Sequence, residues 1–386
     1  MFEKHFGNPL NRRKKKYKFI LRIIEDFIKK FLIFFIILPI SSPLLIINNF
    51  NKKKYYFKEF SNHNGIVFLI FILKELKNPK FLINLNDFDL VFSRFGFFFT
   101  IKNFSIKLFF NKSYSISLKD KKAHYYLNQD YFQYFDNQIK ENDNNFLLPF
   151  YLPKNYYLDG SINKYKKLRF KKKKFKIIFS GSTHDEWYGD LDFSNTSNKK
   201  FLNRQEILAI IKKNFYEKCL IISNISELDK IRNTNKEILI IETNPALSLR
   251  KKNFSQDIHL NLIAESKFFI CAPGTSMPIC YHLIESCLVG TVPILSYNDY
   301  LYPQFSNKEA IFFFDEKELI TSIKHALQIK NPNYILMKKN SINYFEKNLS
   351  TNSIINKIIK KKNPLEIYVN LDHVSSFLKK KRFEIN

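Results

Sequence analysis

Strand and helix patterns alternate along residues 174–327, and this rhythm constrains the fold of the 386-residue chain most strongly. Short apolar runs rich in Ile and Phe predict strands, and apolar residues recurring with a period near 3.6 predict helices. The predicted strands are 174–181, 237–242, 267–274, 291–296 and 310–314, and the predicted helices are 204–214, 258–266, 278–290 and 316–327. Because repeated βα units imply a parallel sheet covered on both faces, we expect an α/β fold.

The first half has a different pattern, in which short apolar runs are separated by Asn, Asp and Lys. These runs predict strands at 65–73, 81–85, 88–99 and 104–110. Residues 154–174 are polar and rich in Lys and Tyr, which indicates a linker. We therefore expect four parts: an N-terminal helix and anchor segment, a first domain, a second domain, and a C-terminal tail or helix, at 1–50, 51–165, 166–350 and 351–386.

The N-terminus indicates an association with membranes. Residues 12–30 predict a basic amphipathic helix, and the uncharged segment 31–47 has 17 residues, the lower limit for a bilayer span. Pro39 and Pro43 interrupt its helix. A spanning anchor, an interfacial or re-entrant anchor, and a buried part of the first domain all stay open. We expect a membrane-associating segment, because Lys on both flanks suits anionic headgroups.

The formal charge of +28 arises from 63 Lys and Arg against 35 Asp and Glu. Only nine of the basic residues are Arg, the side chain that binds phosphates and bases bidentately. The many Lys accompany many Asn, Ile, Phe and Tyr, which is the bias of an AT-rich coding sequence. We therefore expect no nucleic-acid partner. A noncatalytic basic protein that binds nucleic acid or anionic membrane is the alternative.

Two loops follow predicted strands at the edge where parallel sheets bind ligands. The first contains Gly181 and Ser182, and the second contains Gly274, Thr275 and Ser276. Gly allows the backbone to approach a diphosphate closely, and Ser and Thr provide hydroxyls next to a helix start. Each pattern alone is equally typical of an ordinary turn. Neither is a Walker loop or a dinucleotide fingerprint.

Glu285 lies in the helix predicted after the second loop, within an otherwise apolar stretch. A carboxylate in such surroundings needs a partner. Two vicinal hydroxyls, such as those of a ribose, are suitable hydrogen-bond donors to it. Taken alone, a solvated helix Glu is the more ordinary interpretation.

The run SKFFICAPGTSMPICYHLIESCLVGTVPILSYNDYLYP at 266–303 resembles the C-terminal domain of exostosin-like glycosyltransferases. The segment FSGST at 179–183 and the helix led by Arg204 resemble the same family, and the resemblance covers about 175–330. It implies a GT-B fold, in which two Rossmann-like domains face each other across a cleft. The first domain would hold the acceptor and the second the nucleotide-sugar. It also implies transfer with inversion and without a bound metal.

The resemblance further implies roles for individual residues. Glu285 would bind the ribose of the donor, and Arg204 would neutralise the leaving group. His282 stands where the family usually has Arg. Either Arg204 or Arg250 therefore neutralises the phosphates in its place, or the donor differs. The remaining donor contacts would be to the diphosphate or sugar, from Gly181, Ser182, Gly274, Thr275 and Ser276. No cofactor is expected, since the nucleotide-sugar is a substrate.

An inverting transfer needs a base that deprotonates the acceptor hydroxyl. The sequence does not choose among the candidates, although Asp87 and Asp185 are the expected catalytic residues. The wider set comprises His63, Asp87, Asp89, His184, Asp185 and Glu186. An inactive transferase-like protein without a base also stays open.

Together these features predict a glycosyltransferase of polysaccharide or glycoconjugate synthesis. Its expected partners are a nucleotide-sugar donor, a glycan or lipid-linked acceptor, and a membrane surface. Four Cys without paired spacing predict reduced, mostly buried thiols, which favours the cytoplasmic face of a membrane. A single-pass span at 31–47 with a luminal catalytic domain is the alternative.

Overall fold

The chain divides into two compact units, one formed by Met1–Asn62 and Lys74–Tyr126 and the other by His63–Leu73 and Leu127–Asn386. This computed structural model describes residues 54–57, 80–83, 104–106, 115–117, 125–128, 131, 135, 139, 142–148, 152, 156, 161–183, 201–223, 225–242, 255–274, 278–362 and 364–369. The basic helix predicted at 12–30, the uncharged segment at 31–47 and the strands predicted at 65–73 and 88–99 lie outside these residues.

The first unit contains a parallel sheet of short strands. They are β1 (Lys54–Phe57), β2 (Lys80–Ile83), β3 (Phe104–Ile106), β4 (Ser115–Ser117) and the start of β5 (Tyr125–Asn128). Strand β1 pairs in parallel with β2 and β4, β2 pairs with β3, and β4 pairs with β5. Strands β2 and β3 confirm two of the strands predicted from Phe- and Ile-rich runs.

The second unit contains eight of the described strands, and their pairings are again parallel. Its strands are β6 (Asn145–Leu147), β7 (Phe175–Gly181), β8 (Cys219–Ile222), β9 (Ile238–Glu242), β10 (Ser266–Cys271), β11 (Val292–Leu295), β12 (Ile311–Phe312) and β13 (Leu365–Tyr368). Six of them form a sheet in the order β12-β11-β10-β7-β9-β8, while β6 and β13 pair with each other. The strands predicted within 174–327 are confirmed, and β6, β8 and β13 are strands that the sequence analysis did not predict.

Seven α-helices accompany the strands among the described residues. They are α1 (Ser161–Lys166), α2 (Arg204–Phe215), α3 (Gln256–Ala264), α4 (Tyr281–Leu288), α5 (Glu316–Gln328), α6 (Asn331–Tyr344) and α7 (Thr351–Ile359). Polar caps explain where several of them begin: Asn203 caps α2, Ser255 caps α3 and Asp315 caps α5. None of the helices within the described ranges is long and apolar enough to cross a membrane.

Consecutive buried residues in the central strands show that both faces of the six-stranded sheet are covered. Side chains of neighbouring residues point to opposite faces of a strand. Phe268, Phe269, Ile270 and Cys271 are nevertheless all fully buried in β10. The second unit is therefore an α/β layer structure, as the sequence pattern predicts. The two-domain GT-B arrangement across a cleft stays a prediction.

The linker predicted at 154–174 is wrong, because this segment folds onto the second unit. It contains α1 and a 3₁₀ turn at Lys167–Phe170, and both Tyr156 and Tyr165 are buried. Tyrosine buries an apolar ring while its hydroxyl bonds to a polar partner. The hydroxyl of Tyr165 donates to Asp257 over 2.7 Å. Residues from 127 onward belong to the second unit, whereas the sequence predicts the domain boundary near 165.

The four cysteines match their predicted state. Cys219, Cys271 and Cys287 are buried, Cys280 is partly exposed, and all four are reduced thiols. Burial raises the pKa of Cys219 and of Cys287 to about 11. These thiols are therefore protonated at neutral pH and belong to the packed interior.

Gly290 ends α4 with a positive φ of 72°. Thr291 N donates to Ser286 O across this turn over 2.8 Å, which is the Schellman pattern of a helix end. A Cβ at Gly290 would approach Ile342 Cδ1 at 3.1 Å and Lys338 Cε at 3.2 Å.

Gly290→Ala should therefore lower the free energy of unfolding by about 1–2 kcal/mol. Urea denaturation measures this change in the free energy of unfolding. An equal loss of stability in the control variant Lys339→Ala, at an exposed position of α6, would show that the positive φ of Gly290 is not the cause.

Candidate functional site

The strand order of the six-stranded sheet reverses between β7 and β10. From β7 the chain continues to β8 and β9 on one side, and then crosses to β10, β11 and β12 on the other. Ligands of open parallel sheets bind outside the carboxyl ends of the strands at such a reversal. Gly181 ends β7, and Ala272, Pro273 and Gly274 follow the end of β10. Both predicted loops therefore begin at this reversal.

Glu285 lies on α4, directly behind the β10 loop, and its carboxylate has two partners. The hydroxyl of Tyr156 donates to Oε1. Nε2 of His259 lies 3.2 Å from Oε2, and Nε2 of His282 lies 4.0 Å from the same oxygen. Only 8% of the Glu285 side chain is exposed. The expectation that a carboxylate in this apolar stretch needs a partner is confirmed, and the solvated-helix interpretation is wrong.

Glu285 is anionic at neutral pH despite its burial. Burial by itself raises the pKa of a carboxyl group. Four interactions outweigh this effect of burial: the hydrogen bond from His259, the electrostatic attraction to His259 and to His282, and the hydrogen bond from Tyr156. Together they lower the pKa of Glu285 to about 2. The site therefore holds a fixed negative charge.

The two histidines pack against each other and against the end of β7. Nδ1 of His259 lies 3.0 Å from Ser180 Oγ, and the rings of His259 and His282 are 5.4 Å apart. A Cβ at Gly181 would lie 3.0 Å from Cε1 of His282. A larger residue at position 181 would push the His282 ring away from the strand by a few tenths of an ångström, so glycine allows this close approach.

Arg204 joins the two loops. It is the first residue of α2, where Asn203 and Glu206 form a reciprocal capping box. Its Nη1 donates to the carbonyl of Ser182 over 2.9 Å, and its Nη2 donates to the carbonyl of Pro273 over 3.1 Å. Only 3% of Arg204 is exposed. The guanidinium group therefore fixes the β7 loop against the β10 loop.

Six of the ten predicted site residues come together at this edge of the sheet: Gly181, Ser182, Arg204, Gly274, His282 and Glu285. The other four, Asp87, Asp185, Thr275 and Ser276, lie outside the described residues.

Two of the six have further contacts of note. Ser182 Oγ is buried and has no hydrogen-bond partner among the residues that the structure describes. The N–H of Gly274 donates to the carbonyl of Pro278 over 3.0 Å.

Three residues of the site are missing from the sequence-based set: Tyr156, Ser180 and His259. Ser180 is the sixth residue of β7 and belongs to the FSGST segment that marks the first predicted loop, so the sequence does contain a signal for it. His259 lies four residues after the cap Ser255, in the first turns of a helix that begins at the same sheet edge. Tyr156 lies in the segment interpreted as a linker, and no local pattern marks it.

Acid should destabilise the fold through His282. Burial lowers the pKa of His282 to about 3; Glu285 opposes this shift, and His259 and Arg204 add to it. The unfolded state, with a pKa near 6.5, binds more protons between these values, so stability is lost as the pH falls. We expect His282 to contribute up to about 1.4 kcal/mol per pH unit between pH 6.5 and 4. Glu285 adds its own loss only below about pH 4.5, toward pH 2.

Urea denaturation of His282→Gln at pH 7, 5.5 and 4 measures this contribution. The variant should show a shallower pH dependence than the unsubstituted protein, whereas the exposed control His325→Gln should not. The same pH dependence in His282→Gln would place the responsible group elsewhere.

Comparisons with known proteins find structural similarity only. No protein-family model and no curated protein matches the chain. Anabaena HepE in complex with UDP-glucose is 9% identical, with a TM-score of 0.41, 80% of this chain and 99% of HepE being covered. An E. coli structure described as trehalose-6-phosphate bound with UDP-2-fluoro glucose is 9% identical, with a TM-score of 0.39 and coverages of 80% and 98%. The N-terminal domain of Candida albicans trehalose-6-phosphate phosphatase is 10% identical, with a TM-score of 0.34 and coverages of 83% and 73%. At these values the similarities by themselves assign neither fold nor activity.

Proposed function

We propose that this chain is a glycosyltransferase that binds a nucleotide-sugar donor at the strand reversal between β7 and β10. One observation carries the proposal: a buried, anionic Glu285 and a buried Arg204 guanidinium flank the same two loops at this edge. A nucleoside diphosphate combines hydroxyl donors with a negatively charged group. The two side chains match these two parts of one ligand.

The ribose of the donor is proposed to bind Glu285. A carboxylate offers about four acceptor positions. Tyr156 and His259 use one on each oxygen, which leaves acceptor capacity for two vicinal hydroxyls. The side chains of His259 and His282 beside this carboxylate are 13% and 20% exposed. The tyrosine and histidine bonds fix the carboxylate before the donor arrives.

The diphosphate is proposed to lie beside Gly181 and Ser182. Ser182 Oγ offers a buried hydroxyl there, and Arg204 supplies positive charge next to the Ser182 carbonyl. His282 is uncharged at pH 7 because its pKa is about 3. We therefore propose that Arg204 neutralises the diphosphate; Arg250, the other candidate, lies outside the described residues. Cationic groups placed at a leaving group stabilise its developing charge.

The chemistry of transfer is proposed from the resemblance over 175–330. On this proposal the protein is exostosin-like and has a GT-B fold, with the acceptor on the first domain. It transfers the sugar with inversion, requires no bound metal, and uses Asp87 or Asp185 as the base. The acceptor is a glycan or lipid-linked molecule of polysaccharide or glycoconjugate synthesis. The N-terminal segment associates with a membrane surface, with the catalytic residues on the cytoplasmic side.

Thermal unfolding of the full chain against a panel of nucleotide-sugars tests this proposal. A true donor at 100 times its Kd stabilises the folded state by about 2.7 kcal/mol, which raises Tm. The matching free nucleoside, which lacks the diphosphate, should raise Tm much less. If no nucleotide-sugar raised Tm, and DNA or RNA bound with strong salt dependence, the protein would instead be a basic nucleic-acid binder.

A further inference from the structure

His259, His282 and Glu285 direct three metal-binding atoms at one point. These ligand atoms, one from each residue, all lie within 4.8 Å of one another. They come from two helices, α3 and α4, whose ends meet at the strand reversal. Tyr156 and His259 already hydrogen-bond to the Glu285 carboxylate, whereas His282 Nε2, at 4.0 Å, makes no hydrogen bond to it. A second imidazole nitrogen directed at the same carboxylate oxygen without a hydrogen bond is the observation that indicates a further ligand.

The spacing of these atoms suits a small divalent cation. Zinc binds imidazole nitrogen at about 2.0–2.1 Å and carboxylate oxygen at about 2.0–2.2 Å, so adjacent tetrahedral ligands lie about 3.3–3.5 Å apart. His259 Nε2 is 3.2 Å from Glu285 Oε2. His282 Nε2 is 4.0 Å from the same oxygen. A change of about 1 Å or less in two side chains would complete three arms of a tetrahedron.

The surroundings of the three residues match those of a metal site. Metal-binding imidazoles usually donate their second ring N–H to an outer partner, which fixes ring orientation. His259 Nδ1 has Ser180 Oγ at 3.0 Å, and this hydroxyl accepts from, or donates to, either tautomer. Tyr156 holds the second oxygen of Glu285 in the same way. The carboxylate and one imidazole are thus already oriented.

We propose that His259, His282 and Glu285 form a binding site for a d-block divalent cation, with Zn²⁺ as its representative. Two imidazoles favour such ions over Mg²⁺ and Ca²⁺, which prefer oxygen ligands. Two neutral rings and one carboxylate leave the bound ion with a net positive charge. The fourth coordination position stays open to an outside ligand, as in catalytic rather than structural zinc sites. The cation and the proposed ribose contact share the Glu285 carboxylate, so a bound ion would compete with the donor rather than assist transfer, and metal binding is measured without any donor.

Calorimetric titration of the chelator-treated full chain with Zn²⁺ tests the site. We expect a one-to-one binding event that His259→Ala and His282→Ala each weaken by more than tenfold. Ser180→Ala should weaken it about 10–100-fold, as the loss of an outer partner does. His325→Ala, a change at an exposed histidine on α5, should bind as the unsubstituted protein does.

Two further measurements separate loss of a ligand from loss of the fold. His282→Cys replaces one zinc ligand by another and should restore most of the affinity lost in His282→Ala. Co²⁺ in place of Zn²⁺ should give visible absorption bands that the alanine variants lack, while circular dichroism stays unchanged. The proposal is overturned if the folded protein binds no stoichiometric Zn²⁺. It is equally overturned if His259→Ala and His282→Ala retain full affinity.

Discussion

Glu285→Gln should weaken the binding of a nucleoside diphosphate by about 100-fold. A hydrogen bond to a charged acceptor contributes about 1.5–3 kcal/mol, and the proposed ribose contact loses the charge behind two of them. A loss of about 3 kcal/mol corresponds to roughly two factors of ten in Kd. Isothermal titration calorimetry of the full chain measures the change. The amide preserves the shape of the side chain, so packing around it should persist.

The matched control for this variant is Glu316→Gln, at an exposed position of α5. It removes the same charge from the same chain and should leave Kd unchanged. An unchanged affinity of Glu285→Gln for every nucleoside diphosphate that binds the protein would remove Glu285 from the donor site.

Arg204→Met should lower the free energy of unfolding by about 2–5 kcal/mol. The guanidinium group donates to the carbonyls of Ser182 and Pro273 inside the protein. Each buried carbonyl that loses its donor costs about 1–3 kcal/mol. Methionine fills a similar volume without donating a hydrogen bond, so the loss measures the two bonds more than a cavity. Urea denaturation gives the value.

Arg232→Met is the control, because Arg232 is exposed and its substitution should cost less than about 0.5 kcal/mol. Arg204→Lys retains the charge but cannot reach two carbonyls with a planar fork. It should therefore keep part of the donor affinity while losing stability. If Arg204→Met were as stable as the unsubstituted protein, the guanidinium group would not be what fixes the two loops.

The regular elements of the second unit are largely predictable, because their signals are local. Strand β7 and helix α2 each appear in the sequence as a run with its own period. A helix end such as Gly290 is equally local, since the required φ is fixed by one residue. Strand β8 and the segment at 154–174 lack such a clear pattern. Lys and Tyr are common in linkers, yet Tyr156 and Tyr165 bury their rings and fix this segment.

The site is only partly predictable, because its contacts join residues far apart in sequence. Tyr156 and Glu285 are separated by 129 positions, and Ser180 and His259 by 79. The need of Glu285 for a partner follows from burial of a charge. The identity of that partner depends on how the segment around Tyr156 and helices α3 and α4 pack. Likewise the sequence offers Arg204 as a counter-charge, while its role in joining the loops requires the positions of both carbonyls.

The central claim is that a nucleotide-sugar binds at the strand reversal, and a crystal structure of the protein with a nucleoside diphosphate tests it most directly. The account predicts ribose hydroxyls within hydrogen-bond distance of the Glu285 carboxylate and phosphate oxygens beside Gly181 and Ser182. A nucleotide bound away from this edge of the sheet, with Glu285 still closed by Tyr156 and His259, would contradict it.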